Sequence, residues 1–237
     1  MKPHCTASAR RLSSASIPAE STASTLLAAQ SLRGRVLKRC GDIVFSLLVL
    51  SLGSPLFLLL AVLVKLSSRG SVFYCQRRIG RGYKGFGCLK FRTMRRDADR
   101  VLAAMLEADP KLRAEFERDH KLKRDPRITP LGKFLRRSSL DELPQFINVL
   151  RGEMSVVGPR PIVWDELRRY GRSMDEVLAV RPGLTGLWQV SGRNNLTYRT
   201  RVRLDLTYVR SRSFWLDLGI VLRTIGVVLL PMDRGAY

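Results

Sequence analysis

Asp141 and Glu142 stand side by side in RRSSLDELPQF, with Arg136 and Arg137 just upstream and Arg160 further along the chain. Adjacent carboxylates among guanidiniums form the set that phosphoryl chemistry needs. The carboxylates would supply a nucleophile and a divalent-cation ligand, and the guanidiniums would hold phosphate oxygens in two-pronged hydrogen bonds. The same residues also have a purely structural reading. Ser139-Leu140-Asp141-Glu142 fits the S-x-x-E capping box, in which the acids serve a helix N-terminus. Pro144 weighs against a regular helix there, because it falls where a helix starting at Leu140 would need an N–H.

Other chemistries are poorly supplied. The only histidines are His4 and His120, the first in a Ser/Ala/Thr-rich leader and the second in a charged segment, so a Ser-His-Asp or Cys-His mechanism has little support. Cys5, Cys40, Cys75 and Cys88 contain no C-x-x-C pair and offer no zinc site; a reduced state is the simpler expectation for them. Gly80-Arg81-Gly82-Tyr83-Lys84-Gly85 matches G-x-G-x-x-G, but the residues after it continue as a strand, so no helix opens at the third glycine to receive a dinucleotide. These glycines are expected to make a tight hairpin.

The elements that must position the carboxylates follow from periodicity. Residues 72–94 alternate aromatic, basic and glycine residues, as a β-hairpin would. Helical spacing runs from Arg95 to Lys123 with a break at Pro110, then from 133 to 150, then from 162 to 179. Between the last two, Gly158-Pro159-Arg160-Pro161 interrupts the chain. A turn-rich loop with a short strand is expected over 181–192, and apolar residues among arginines over 198–210. Taken singly, Lys90 and Arg92 would suit a solvated strand face, Arg160 a surface turn, and Trp188 the core.

Two apolar segments flank this middle. Ile43 to Val64 runs without a charge, about 33 Å of helix at ~1.5 Å per residue, enough to cross a bilayer core. Ser54-Pro55 breaks it midway, and both flanks are basic, which keeps both ends on one side of a membrane and favours a helix that enters, breaks and returns. The tail, about 214–230, starts with Phe214-Trp215 and contains Asp217 and Arg223. It suits an interface-lying helix or a buried core helix equally. Residues 1–32 show no apolar periodicity and are expected to be a disordered leader.

Charge narrows the partners. The chain has 237 residues, 42 Lys+Arg against 20 Asp+Glu, and a net charge of +22, which must meet an anion: nucleic acid, an anionic membrane surface, or a phosphate-bearing substrate. Aromatics are only 8% and no DNA-reading helix is apparent, so nucleic acid ranks last. A membrane-tethered basic protein that binds anionic lipid without catalysis stays as the alternative to an enzyme.

From about Lys38 onward the sequence resembles bacterial sugar transferases, the monotopic polyprenyl-phosphate phosphoglycosyl transferases that start exopolysaccharide and O-antigen assembly. The resemblance is carried by Lys38-Arg39 with Asp42, Ser54-Pro55, Gln76-x-Arg78-x-Gly80 and Lys90-Phe91-Arg92-Thr93-Met94. It continues through Asp125-Pro126-Arg127-Ile128-Thr129, Leu140-Asp141-Glu142-Leu143-Pro144-Gln145, Val157-Gly158-Pro159-Arg160-Pro161 and Arg181-Pro182-Gly183-Leu184-Thr185-Gly186. It is to the short members of that family.

The resemblance implies an α/β mixed fold, mostly helical with a small β-hairpin, in a monotopic membrane protein. Its parts would be the leader at 1–32, a re-entrant membrane helix at 33–66 broken at Ser54 and Pro55, and a cytoplasmic-face catalytic domain at 67–237. The implied reaction moves a hexose 1-phosphate, galactose or glucose, from a UDP-sugar to undecaprenyl phosphate at the bacterial inner membrane. Asp141 would be the nucleophile, Glu142 the ligand of Mg²⁺, and Lys90, Arg92, Arg136 and Arg160 the phosphate contacts. Anionic lipids are expected partners and a homodimer is possible by resemblance; nucleic acid is not expected.

Overall fold

A computed structural model describes residues 32–119, 122, 125–192 and 196–229. The expected leader lies outside the described residues except for Leu32, as do His120 and the chain past Leu229.

The fold is α/β mixed and mostly helical. Helices α1 (Leu32–Leu52) and α2 (Ser54–Ser67) meet at Gly53 with a bend of 65°. Pro55 has no N–H to give the Ser51 carbonyl, and the Ser54 hydroxyl fills the gap, donating to that oxygen at 2.8 Å. Among the described residues no single helix is long and apolar enough to cross a membrane; the bent pair passes that test only jointly.

The expected hairpin is present. Strand β1 (Phe73–Ile79) pairs antiparallel with β2 (Gly85–Phe91), with Phe73 opposite Phe91, Tyr74 opposite Lys90 and Ile79 opposite Gly85. The turn between them uses positive φ at Gly82 and Tyr83. Helices α3 (Ala98–Ala108) and α4 (Pro110–Asp119) follow, divided before Pro110 as the sequence predicts.

The single helical stretch expected over 133–150 is three pieces: α5 (Pro130–Arg137), a 3₁₀ turn over Leu140–Glu142, and α6 (Gln145–Leu150). Ser139, in the left-handed region at φ 58°, ends the first piece, and Pro144 separates the second from the third. A second strand pair, not expected from sequence as a pair, joins β3 (Ser155–Val157) in parallel to β4 (Gly183–Thr185). Here backbone lies on backbone: a Cβ on Gly183 would sit 2.1 Å from the Gly158 nitrogen, so both motif glycines are needed for the approach. The helix expected over 162–179 is a run of short turns that includes α7 (Leu167–Tyr170) and α8 (Met174–Val177), interrupted at Gly171 with φ 54°. Helices α9 (Leu187–Ser191), α10 (Tyr198–Ser211) and α11 (Phe214–Leu229) complete the chain.

Both arms of the bent pair end on the same protein body. On α1, buried Asp42 accepts from the Ser155 hydroxyl at 2.8 Å and the Val156 N–H at 3.1 Å, tying it to β3. Arg39 donates to the Val149 and Leu150 carbonyls at the end of α6, at 2.6 and 3.0 Å. On α2, Leu60 and Val64 pack with Phe91 and Leu135. The rest of the pair leaves Leu47, Leu48, Leu52, Leu58 and Leu59 exposed. Helix α11 divides its faces. Ile220 is buried with Val157 and Tyr208, whereas Phe214, Trp215, Leu222 and Ile225 are exposed. Core helix and surface helix were alternatives in the sequence; each describes one side of α11.

Cys40 and Cys88 are free, but Cys75 is disulfide-bonded, against the expectation that all four cysteines are reduced.

Candidate active site

The 3₁₀ turn carries the carboxylate pair. The capping box does not form, because Ser139 is left-handed and its side chain caps nothing. Freed from that duty, Asp141 turns inward and is buried, while Glu142 is half-buried. Lys90 reaches both from β2: its Nζ donates to Glu142 Oε1 at 2.6 Å and stands 3.9 Å from Asp141 Oδ2.

The strand that presents Lys90 is held from behind by Asn148 of α6, which is fully buried. Asn148 Oδ1 accepts the Leu89 N–H at 3.0 Å, and Nδ2 donates to the Gly87 carbonyl at 2.8 Å and to Glu153 Oε2 at 2.6 Å. One amide therefore fixes two residues of β2 next to Lys90, from the same helix that the carboxylate turn leads into.

The two carboxylates are driven apart electrostatically. Burial above all, with the charge of Glu142, outweighs the pull of Lys90 and Arg136 and leaves Asp141 pushed up to about 6. Burial also acts on Glu142, but the charges of Lys90, Arg160 and Arg78 and the Lys90 hydrogen bond overcome it and hold the group below the usual carboxylate range. An adjacent pair divided in this way can take different roles, one carboxylate held in its ionised form and the other left more basic.

The expected phosphate contacts separate into two groups. Arg136, at the end of α5, donates from Nε to Thr93 Oγ1 at 2.9 Å, and its charge acts on Asp141. Arg160 follows β3, lies 5.9 Å from the centre of the Trp188 ring, and its charge reaches Glu142. Lys90, Arg136 and Arg160 thus converge on the carboxylates. Arg92 does not: its Nη2 donates to the Ser68 carbonyl at 2.5 Å and to Val64 O at 3.5 Å, so it closes the C-terminal end of α2. The reason is position: Arg92 lies one residue past the end of β2, beside the C-terminal end of α2, and the carbonyls there take its guanidinium. Ser54 and Pro55 are at the helix break, as expected.

Sequence reasoning missed Arg78, whose charge acts on Glu142 and which is held by Gln76 Oε1 at 2.7 Å and the Pro161 carbonyl at 3.0 Å. It also missed Asn148, Thr93, and Arg201, which lies 5.0 Å from the Trp188 ring beside Arg160. For Asn148 a signal existed: a polar residue inside the apolar run Phe146-Ile147-Asn148-Val149-Leu150 has to be paired if buried.

Among the described residues no group of three or more His, Cys, Asp or Glu is placed to hold a metal. The pair does fit a cation carried by phosphates, since Mg²⁺ is commonly bound by one or two carboxylates together with substrate oxygens. Glu142 spends Oε1 on Lys90, and its Oε2 has no hydrogen-bond partner among the described residues.

The sequence model of the family described as bacterial sugar transferase matches residues 33–231. The chain is 54% identical over 206 residues to an uncharacterized sugar transferase of Haemophilus influenzae, covering 87% of this chain and 43% of that protein. It is 50% identical over 204 residues to the exopolysaccharide production protein ExoY of Sinorhizobium fredii, covering 86% and 89%. With the undecaprenyl-phosphate galactose phosphotransferase of Salmonella typhimurium it shares 51% over 203 residues, covering 86% and 42%. The chain therefore spans less than half the length of two of these relatives and most of the third.

Proposed function

The chain belongs to the bacterial sugar transferase family, and from that premise we propose that it transfers a hexose 1-phosphate from a UDP-sugar to undecaprenyl phosphate, through a covalent intermediate on Asp141. The observation that carries the reading is the split pair: buried Asp141, basic for a carboxylate, beside Glu142 held ionised by Lys90.

In the first step an Asp141 carboxylate oxygen forms a bond to the sugar-side phosphorus, and the bond from that phosphorus to the bridging oxygen breaks. The electron pair leaves with UMP. In the second step a phosphate oxygen of undecaprenyl phosphate attacks the same phosphorus, and the bond to Asp141 breaks, which restores the carboxylate and releases the lipid diphosphate sugar. An Asp141 that ionises near pH 6 is charged at neutral pH yet more basic than an exposed aspartate. Arg136 and Arg160 spread the charge that builds on the phosphoryl oxygens. Glu142 would hold Mg²⁺ arriving on the diphosphate, which when bound neutralises the donor and the departing UMP. Galactose and glucose are the proposed sugars.

From the same premise we propose that the reaction runs at the cytoplasmic face of the bacterial inner membrane, with 33–66 as a re-entrant helix and 67–237 as the catalytic domain. Three things support this: the 65° bend, the exposed leucines around it, and the return of both arms to one body through Asp42, Arg39, Leu60 and Val64. A spanning helix would have carried one of those anchors to the far side. The exposed face of α11, led by Phe214 and Trp215, suits the headgroup region, and the basic flanks suit anionic lipids at about 1 kcal/mol per Lys or Arg near the surface.

The test is UMP release by the purified full chain in lipid nanodiscs. Turnover is expected only with a UDP-sugar, Mg²⁺ and polyprenyl phosphate together, with a stoichiometric burst when the acceptor is left out. Asp141→Asn should abolish both. Undiminished turnover in that variant sinks the assignment.

A further inference from the structure

Thr93 follows β2 in the run Lys90-Phe91-Arg92-Thr93-Met94 and is buried. Three residues of α5 and its cap close on it from one helical face, at spacings i, i+3 and i+7. The Thr129 N–H donates to the Thr93 carbonyl at 3.0 Å. Gly132 comes so near that a Cβ there would lie 2.0 Å from the same oxygen. Arg136 Nε donates to the Thr93 hydroxyl at 2.9 Å. The first two contacts lock backbone to backbone, and the third uses that lock to aim a side chain.

Arg136 needs aiming. Its residue is exposed, a long side chain with much rotamer freedom, and its guanidinium has Asp125 and Arg127 as well as Asp141 within electrostatic reach, with Tyr74 also facing it. Asp125 is already engaged by Arg127 through two side-chain bonds of 2.8 and 2.6 Å. Asp141 itself faces Lys90 from β2 and Glu142 from its own turn, besides Arg136 from α5. Lys90 donates to Glu142, so the placement of Arg136 decides whether a guanidinium beside Asp141 is free to meet a phosphate.

We propose that Thr93 is a positioning residue for the transfer reaction: its hydroxyl fixes Arg136 through Nε, so that the guanidinium stays beside the Asp141 carboxylate and keeps both Nη groups for the donor phosphate. The proposal rests on the reading of Asp141 as nucleophile. It gives Thr93 a task that the sequence match to its motif does not name.

Three variants test it. Thr93→Val keeps the shape and removes the hydroxyl, Thr93→Ser keeps the hydroxyl, and Arg136→Lys keeps the charge and removes the Nε donor. The reading is the split between KM for the UDP-sugar and kcat in UMP release by the full chain in nanodiscs, with UDP-galactose or UDP-glucose. Thr93→Val should lose roughly tenfold in kcat/KM, with KM for the UDP-sugar raised. Arg136→Lys should raise KM in the same way, which serves as the reading should Thr93→Val not fold. Thr93→Ser should stay within about twofold of the parent. In an Arg136→Gln background, adding Thr93→Val should cost nothing further. Equal losses in the Val and Ser variants with an unmoved KM, or losses that multiply in the double variant, would overturn the proposal.

Should the parent chain release no UMP at all, the proposed reaction is what fails. The Thr93–Arg136 cycle is then read from unfolding midpoints instead: effects that do not add support the coupling, and strictly additive effects overturn it.

Discussion

The Lys90 ammonium donates to Glu142 Oε1 at 2.6 Å and leaves Asp141 Oδ2 at 3.9 Å, so a single cation serves the two carboxylates unequally. The inequality is geometric in origin. Adjacent residues of a 3₁₀ turn point about a third of a turn apart, so a side chain arriving from β2 meets one of them in hydrogen-bond range and the other only through its field. The first is held ionised; the second, buried, is left basic.

Activity should fall on the acid side with a midpoint near pH 6, as Asp141 takes up its proton. Lys90→Met removes a charge that favours ionisation and should displace that midpoint upward, besides costing about 10²-fold or more in kcat/KM at pH 7. A pH–rate profile of UMP release checks both. A midpoint that stays put in the Met variant would separate Lys90 from Asp141.

Asp141→Asn should make the protein more stable at pH 8 while removing turnover. The sign follows from linkage: the folded-state value of about 6 lies above the ordinary 3.8, so the folded protein binds this proton more tightly than the unfolded chain, and stability is lost as pH rises between the two values. That difference is worth at most about 3 kcal/mol, and a gain of about 1–3 kcal/mol is expected from the amide at pH 8, shrinking toward pH 4. Denaturation of parent and variant at the two pH values measures it. A loss at pH 8 would mean that Asp141 is better satisfied by its neighbours than its burial suggests.

Asn148→Leu should be destabilising by about 2–4 kcal/mol, because it leaves the Leu89 N–H, the Gly87 carbonyl and the Glu153 carboxylate without their partner. It should also lower kcat, since β2 then loses the brace next to Lys90. Thermal unfolding and single-turnover UMP release report the two effects separately. A variant that unfolds earlier yet turns over normally would reduce Asn148 to a core residue.

Single cysteines replacing Leu37 and Ser71, both exposed, should label from the same side of sealed vesicles in a cysteine-free background. Labelling from opposite sides would refute the re-entrant arrangement. Pro55→Ala restores the missing N–H and should reduce the 65° bend, lowering membrane retention or activity without touching the carboxylates.

Much of this was legible beforehand because it depends on neighbours in sequence. The hairpin over 73–91, the division at Pro110, the break at Ser54-Pro55 and the identity of the carboxylate pair are local facts. Periodicity, a missing N–H and residue type are enough to reach them. The capping box is the instructive failure. Ser139 to Glu142 has the right spacing, but spacing is silent on φ, and Ser139 in the left-handed region turns the acids away from capping and into the protein. Arg92 fails differently: its type was right for phosphate, and only the position of the α2 terminus reveals that carbonyls claim it first.

By itself, then, the sequence determined which groups are present and which stretches are helix or strand, and its excess of basic residues required an anionic partner. The tertiary structure decided which cation faces which carboxylate. Lys90 and Glu142 are 52 residues apart, Thr93 and Arg136 43, and Asp42 and Ser155 113, and a contact across such separations is fixed by packing rather than by pattern. The charge of an aspartate depends on how much water it loses and on the fields of its neighbours. Both are properties of the folded interior, so Asp141 becomes distinct from Glu142 only when β2, α5 and the loop after β3 close around them.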